Sequence, residues 1–215
     1  MYKLDLHTHS TASPDGGLSY NDYREMLASG KLDFIGVTDH NTIEFAHELH
    51  KSLGDQIIIG EEITTAEGEI IGLYLQDKIP AGMSVVEAAK AIHDRGGLVY
   101  VPHPFETVRK GLSRAALDEI TQYVAIVETR NGRAVFQNRS VEAIAWAKEH
   151  RVPGAASSDS HGRHGWGRTF SVIAEPPTRD TLAELLRDAT HQASFPGLRG
   201  VLHPKMNRLR KRLHV

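Results

Sequence analysis

The stretch Leu4-Asp5-Leu6-His7-Thr8-His9-Ser10 sets two histidines two residues apart at the end of an apolar run. Residues two apart on a strand point to the same face, so the pair predicts two imidazoles on one side of a first strand, which is half of a metal site. A buried strand seldom needs both for structure alone. The same chemistry recurs where other apolar runs end: Thr38-Asp39-His40, Gly60-Glu61-Glu62-Ile63, Val101-Pro102-His103-Pro104 and Ser158-Asp159-Ser160-His161. Asp159 and His161 repeat the spacing of His7 and His9. By alternation only one of Glu61 and Glu62 can face the other donors, and a carboxylate there can bridge two cations. Prolines on both sides stiffen the loop that carries His103. Asp15, in Ser13-Pro14-Asp15-Gly16-Gly17, reads equally well as a ligand or as a turn residue.

The chain has 13 histidines and no cysteine. Disulfides and thiolate ligation are therefore excluded, and any metal must be held by nitrogen and oxygen, which favours Zn, Mn or Fe. His47 and His50 share a helical segment with Glu44 and Glu48 and read as a solvated face. His93, His150, His191, His203 and His214 read as surface or tail residues. His164 follows Asp159 and His161 in a glycine-rich loop, a place from which it can line the mouth of a site.

Something must bring donors so far apart in sequence to one point. Short apolar runs recur at 3–7, 33–38, 56–60, 70–75, 98–101, 123–127, 154–157 and 170–174, mostly continuous, as buried parallel strands are. Between them lie helical patterns at 21–29, 43–53, 85–95, 113–120, 139–150 and 179–189. Ser84 with Glu87 gives a start signal, and Gly30, Gly54 and Gly96-Gly97 give stops. This βαβα alternation predicts an α/β fold with parallel strands, either a closed barrel or an open sheet. Ligands following successive strands suit a barrel, whose C-terminal strand ends meet at one mouth. Neither G-x-G-x-x-G nor G-x-x-x-x-G-K-[ST] is present, so dinucleotide and P-loop readings lose their support.

At 215 residues, with 40% hydrophobic and 24% charged residues, the composition is that of one globular domain. We expect it over 1–195, followed by a basic tail over 196–215. The net charge of −2 hides an asymmetry. Residues 189–215 hold Arg199, Lys205, Arg208, Arg210, Lys211 and Arg212 and no acid, which leaves the rest at −8. Such a tail can touch nucleic acid, a membrane surface or the body of the protein, or remain solvated. No apolar run approaches the roughly 18 residues that span a bilayer, and residues 1–5 carry no signal-peptide pattern. A cytoplasmic protein without a membrane partner is the default expectation.

Taken in order, H-x-H, T-D-H, G-x-E, H-P and D-x-H resemble the PHP family, named for polymerase and histidinol phosphatase, from about residue 3 to residue 175. The resemblance implies a distorted (β/α)7 TIM-like barrel with up to three divalent cations at its mouth. It implies a first metal on His7, His9, Glu62 and Asp159, a second sharing Glu62 and adding His103, and a third on Asp15, His40 and His161. One departure stands out: where family members often carry His in a run like H-x-x-G, this chain has Glu69-Ile70-Ile71-Gly72. Glu69 either replaces that imidazole at the second metal or points away and leaves that site weak.

A cluster of two or three Mn, Zn or Fe ions suits hydrolysis of a phosphate ester by a bridging hydroxide, with His7, His9, Glu62, Asp159 and His161 as the residues nearest the chemistry. Arg130, Arg163 and Arg168 are candidates to hold the phosphate, since guanidinium forks match it, and Glu128 is expected to orient a ligand or its loop. The resulting expectation is a phosphoesterase, or phosphatase, acting on a small phosphorylated metabolite or nucleotide phosphate. The alternatives are an exonuclease on short oligonucleotides, modestly favoured by the basic tail, and a non-catalytic PHP module.

Overall fold

β-Branched runs become strands and amphipathic runs become helices in the alternation expected of them. A computed structural model describes residues 1–213; residues 214 and 215, His214 included, lie outside the described residues. In chain order the elements are β1 (Tyr2–Asp5), α1 (Tyr20–Ala28), β2 (Phe34–His40), α2 (Glu44–Leu53), β3 (Ile57–Thr64), β4 (Glu69–Leu73), α3 (Val85–Asp94) and β5 (Leu98–Val101). They continue with α4 (Arg114–Glu119), β6 (Val124–Asn131), α5 (Ser140–His150), β7 (Gly154–Ser157), β8 (Phe170–Ile173), α6 (Leu182–Arg187), β9 (Thr190–Gln192) and α7 (Gly197–Leu213). The start signal at Ser84 is real: its hydroxyl accepts from the Glu87 amide while the Glu87 carboxylate accepts from the Ser84 amide.

The strands form one sheet in the order β7-β6-β5-β4-β3-β2-β1-β8-β9. It nearly closes on itself. Beyond β1 and β7 the chain pairs Thr8 with Ser160, and the His9 amide donates to the Ser160 carbonyl at 2.9 Å. The result is a distorted (β/α)7-type barrel.

Not every strand is parallel, which corrects the expectation of βα units throughout. Thr65–Gly68 is too short to carry a parallel crossover, so β3 and β4 form an antiparallel hairpin with Thr64 opposite Glu69. β5 also runs antiparallel to β4, and β8 to β1. The reversal matters for the site. Because β4 runs against β3, its first residue lies where β3 ends, and Glu69 comes to the mouth from the start of a strand.

Alternation divides the central strands between two cores. Ile57 and Ile59 of β3 face outward to the helices with Tyr23, Ile35, Leu49 and Trp146. Ile58 faces inward with Leu4, Leu6, Phe34, Ile71, Leu73, Tyr100, Ile126 and Ile173, plugging the lower barrel. That apolar plug is the floor on which the polar groups stand.

The basic segment is not a loose tail. Its residues 197–213 form α7, which lies over the mouth: the Asn207 amide donates to the Asp15 and His161 carbonyls at 2.9 and 2.8 Å. Arg208 pairs with the Asp15 carboxylate at 2.6 Å.

Candidate metal centre

The upper barrel inverts the rule of the floor. His7, His9, Asp15, Glu62, Glu69, His103, Asp159 and His161 are all buried, and His40 is half-buried. The strand ends bring all nine to one mouth. The carboxylate of Glu62 is its centre: Oε2 lies 3.5 Å from His7 Nε2, 3.2 Å from His9 Nε2 and 3.2 Å from His40 Nδ1, while Oε1 lies 3.1 Å from His103 Nε2. Glu61 points the other way and accepts from the Ile79 amide at 2.8 Å, as alternation requires.

Asp159 Oδ1 lies 3.8 Å from His7 Nε2, 3.6 Å from His9 Nε2 and 3.3 Å from His161 Nδ1. Asp15 Oδ1 lies 3.5 Å from His40 Nε2 and 3.4 Å from His161 Nε2. Among the described residues three groups have ligand atoms within 4.8 Å of one another: His7 with His9 and Asp159, His7 with Glu62 and His103, and His9 with His40 and His161. Glu69 faces the same cavity but joins none of these groups; its Oε1 is 4.0 Å from His40 Nδ1 and 3.9 Å from Lys110 Nζ.

Buried partners fix the imidazoles from behind. Glu128 Oε1 lies 3.2 Å from His7 Nδ1 and accepts from the Tyr100 hydroxyl at 2.9 Å, while Oε2 accepts from the His103 amide at 2.7 Å and from Asn131 Nδ2 at 2.8 Å. Ser13 Oγ donates to Asp39 at 2.8 Å, so its lone pair is left to accept from His9 Nδ1 at 3.2 Å. These two acceptors favour a proton on Nδ1 of each ring. Their Nε2 lone pairs then face each other at 3.1 Å. Two ring nitrogens at that distance, beside two carboxylates, call for a positive charge between them, a proton in the absence of metal or a cation in its place.

Electrostatics follow from that crowding. Burial works against the charged form of His7, yet Asp159, Glu62 and Glu128 drive its pKa well above the ordinary imidazole value. Burial likewise opposes the lowering of Glu62 and Asp159, which is imposed by His40 and His7 on the first and by Arg133, His7 and His161 on the second. Burial, then the neighbouring His9 and Arg133, push His161 down to about 3. Burial and the Glu62 charge raise Glu69 to about 9. Backbone strain accompanies the chemistry: His103 and Asp159 hold φ of 29° and 52°, a region that non-glycine residues seldom occupy.

The arginines that line the mouth are not the three the sequence offered. A register shift in β6 between Glu128 and Arg130 leaves Arg130 exposed. Arg163 pairs with Asp22 at 3.1 Å and Glu25 at 2.6 Å, and Arg168 donates to the Phe195 carbonyl at 3.3 Å. None of the three lines the mouth cavity, a space of about 550 Å³. Arg109 and Arg133 do, and both reach Asp159, at 2.7 and 3.1 Å. Neither carries a local motif that marks it. His164 is exposed beside His203 of α7, and His47 and His50 are half-buried, bonded to the Gln76 and Ile57 carbonyls.

Comparison with known proteins agrees with this architecture. The PHP domain pattern matches residues 5–144. An uncharacterized protein of Methanocaldococcus jannaschii is 38% identical over 155 residues, covering 66% of this chain and 91% of that protein. A second uncharacterized protein of the same organism is 32% identical over 180 residues, covering 80% and 71%. Among solved structures, a two-domain protein from Bacteroides vulgatus containing a predicted PHP-like metal-dependent phosphoesterase superposes with a TM-score of 0.67 at 23% identity, over 96% of this chain and 69% of that one. At that identity the likeness bears on the fold.

Proposed function

The chain belongs to the PHP domain family, and from that premise we propose that it is a metal-dependent phosphoesterase acting on a small phosphorylated metabolite or nucleotide phosphate. The observation that carries this reading is the pair of Nε2 atoms on His7 and His9, 3.1 Å apart and flanked by Glu62 and Asp159. Apart from a proton, a divalent cation is the partner that satisfies four converging electron-pair donors. We assign His7, His9, Glu62 and Asp159 to a first cation, Glu62, His103 and Glu69 to a second, and Asp15, His40 and His161 to a third. An all N/O donor set admits Mn, Zn or Fe. Bound there, such cations make a water acidic near neutral pH and offset charge on the phosphoryl oxygens.

The chain's own residues do the rest. Glu128 holds the His7 ring through its Nδ1 and the His103 backbone through its amide, so that both imidazoles stay aimed at Glu62. Arg109 and Arg133 set guanidinium forks beside Asp159, where they can receive a phosphate entering from the mouth. A cavity of about 550 Å³ has the size of sites for small molecules, which favours a metabolite or mononucleotide over a polymer.

The test is hydrolysis of p-nitrophenyl phosphate, nucleoside monophosphates and short oligonucleotides by the purified chain with Mn, Zn or Fe added, alongside elemental analysis. Turnover of the first two classes, lost in His7→Ala and Asp159→Ala, is the expected result. If metal-loaded protein hydrolyses none of the three while those variants change only thermal stability, the reading fails.

A further inference from the structure

α7 turns the wrong face to the protein. Its buried positions are Gly200, Pro204 and Asn207, small or polar, spaced four and three apart. Leu198, Leu202, Met206, Leu209 and Leu213 follow the same helical spacing on the opposite side, each two residues, or about 200° around the helix, from a buried position or its equivalent. They lie in solvent: Leu198 is 75% exposed, Leu209 60% and Leu213 73%. Cations border this stripe along both edges, Lys205 and Arg212 on one and Arg199 and Arg210 on the other. The apolar rim continues across the mouth, where exposed Val108 and Phe136 line the same cavity as Leu202.

An occupant must offer an apolar layer and negative charge on both sides of it. A second copy of α7 offers the layer but brings the same six cations and no acid. A nucleic acid offers the charge but keeps its apolar surface stacked inside. The interface of an anionic bilayer offers both, in any register. We propose that α7 is an interfacial anchor that lays the protein on an anionic lipid surface, with the mouth of the barrel beside it. No helix of the described residues is long and apolar enough to cross a membrane. This helix has instead the leucine face and Arg/Lys borders of one that lies in the plane.

The measurement is co-sedimentation of the full chain with vesicles of phosphatidylcholine alone and of phosphatidylcholine mixed with phosphatidylglycerol. It needs neither metal nor phosphorylated substrate, so its failure leaves the hydrolase reading untouched. The chain is expected to sediment with the mixed vesicles and to stay in solution with the neutral ones. Combining Leu198→Gln, Leu209→Gln and Leu213→Gln lowers the partition coefficient about tenfold or more. These side chains are exposed, so the barrel folds without them, as far-UV circular dichroism will show. Arg199→Gln with Arg210→Gln is the second variant, lowering binding about fivefold for each charge removed. The proposal is overturned if mixed vesicles bring down no more protein than neutral ones, or if both variants bind as the parent does. It is equally overturned if the leucine variant converts a dimer to a monomer in light scattering without any vesicle binding. Retention on a short RNA in place of vesicles also refutes it.

Discussion

Replacing Glu128 by Gln tests whether the imidazoles are held for metal binding, because the substitution keeps the shape and changes only the acceptors. Both carboxylate oxygens are fully used. Oε1 meets His7 Nδ1 and the Tyr100 hydroxyl; Oε2 meets the His103 amide and Asn131 Nδ2. Glutamine has one acceptor oxygen, so its NH2 must face two donors whichever way it turns. Tyr100 has a second acceptor in Ser157 Oγ at 2.9 Å, but the His103 amide is fixed in the backbone. The side chain therefore keeps its oxygen on His103 and turns NH2 toward His7. His7 must then accept on Nδ1, and its proton moves to Nε2, the atom proposed to bind metal. Losing a charge-assisted hydrogen bond costs about 1.5–3 kcal/mol. Loss of such a supporting partner typically lowers metal affinity about 10–100-fold. Competition with a chromophoric chelator measures that affinity directly, and thermal unfolding in EDTA measures the structural part separately. We expect weaker metal binding, with activity partly restored by excess metal. A variant that unfolds at lower temperature in EDTA yet binds metal and turns over substrate as the parent does would refute the reasoning.

Arg133→Ala is expected to raise KM for a phosphate monoester at least about tenfold, the value of one charged hydrogen bond, while Arg130→Ala leaves kinetics unchanged; equal effects at the two positions in steady-state assays would reject the placement. Gly111→Ala puts a Cβ 2.1 Å from the His103 carbonyl oxygen, so the strained His103 turn must shift. A loss of about 1–3 kcal/mol in denaturant unfolding, with lower metal content, is expected. Metal-free protein is expected to have a stability maximum in pH. The raised His7 contributes stability that is full below its ordinary 6.5 and is lost as pH rises through its higher folded value. The lowered Glu62 and Asp159 contribute above their ordinary 4.5 and 3.8 and lose it as pH falls. Melting temperatures in EDTA across pH will show the alkaline decline, and added metal will remove it, since a cation then takes the place of the proton.

Most of the candidate donors at the mouth were legible because they follow an apolar run, and a run of buried strand fixes both where its last residues lie and which way they point. His7, His9, His40, Glu62, His103 and Asp159 follow from that rule alone. Glu69 did not, because its place at the mouth depends on β4 running backwards, and the sign of that reversal was the length of the Thr65–Gly68 turn. Arg130 illustrates the opposite failure. It was offered for its guanidinium chemistry alone, the register shift beside it leaves it exposed, and Arg133, three residues on, reaches Asp159 instead. Arg109 is invisible in sequence for a different reason: it belongs to a loop whose course is fixed by the carbonyls and glycines around His103.

α7 shows where reading periodicity stops. Its leucine spacing is plain in the sequence, yet the same spacing ordinarily marks the face that a helix buries, and the expectation of no membrane partner rested on the want of a spanning run. Only the buried positions decide the sign. Asn207 donates to the carbonyls of Asp15 and His161, and Arg208 and Lys211 are drawn to Asp15 and to the Thr11 and Ser13 carbonyls, so polar contacts over the mouth outcompete the leucines for the inner face. The contacts that turn the helix are made to the segment carrying Asp15 and to the strand end carrying His161. The outward leucines and the order of those two donors are therefore consequences of one set of hydrogen bonds.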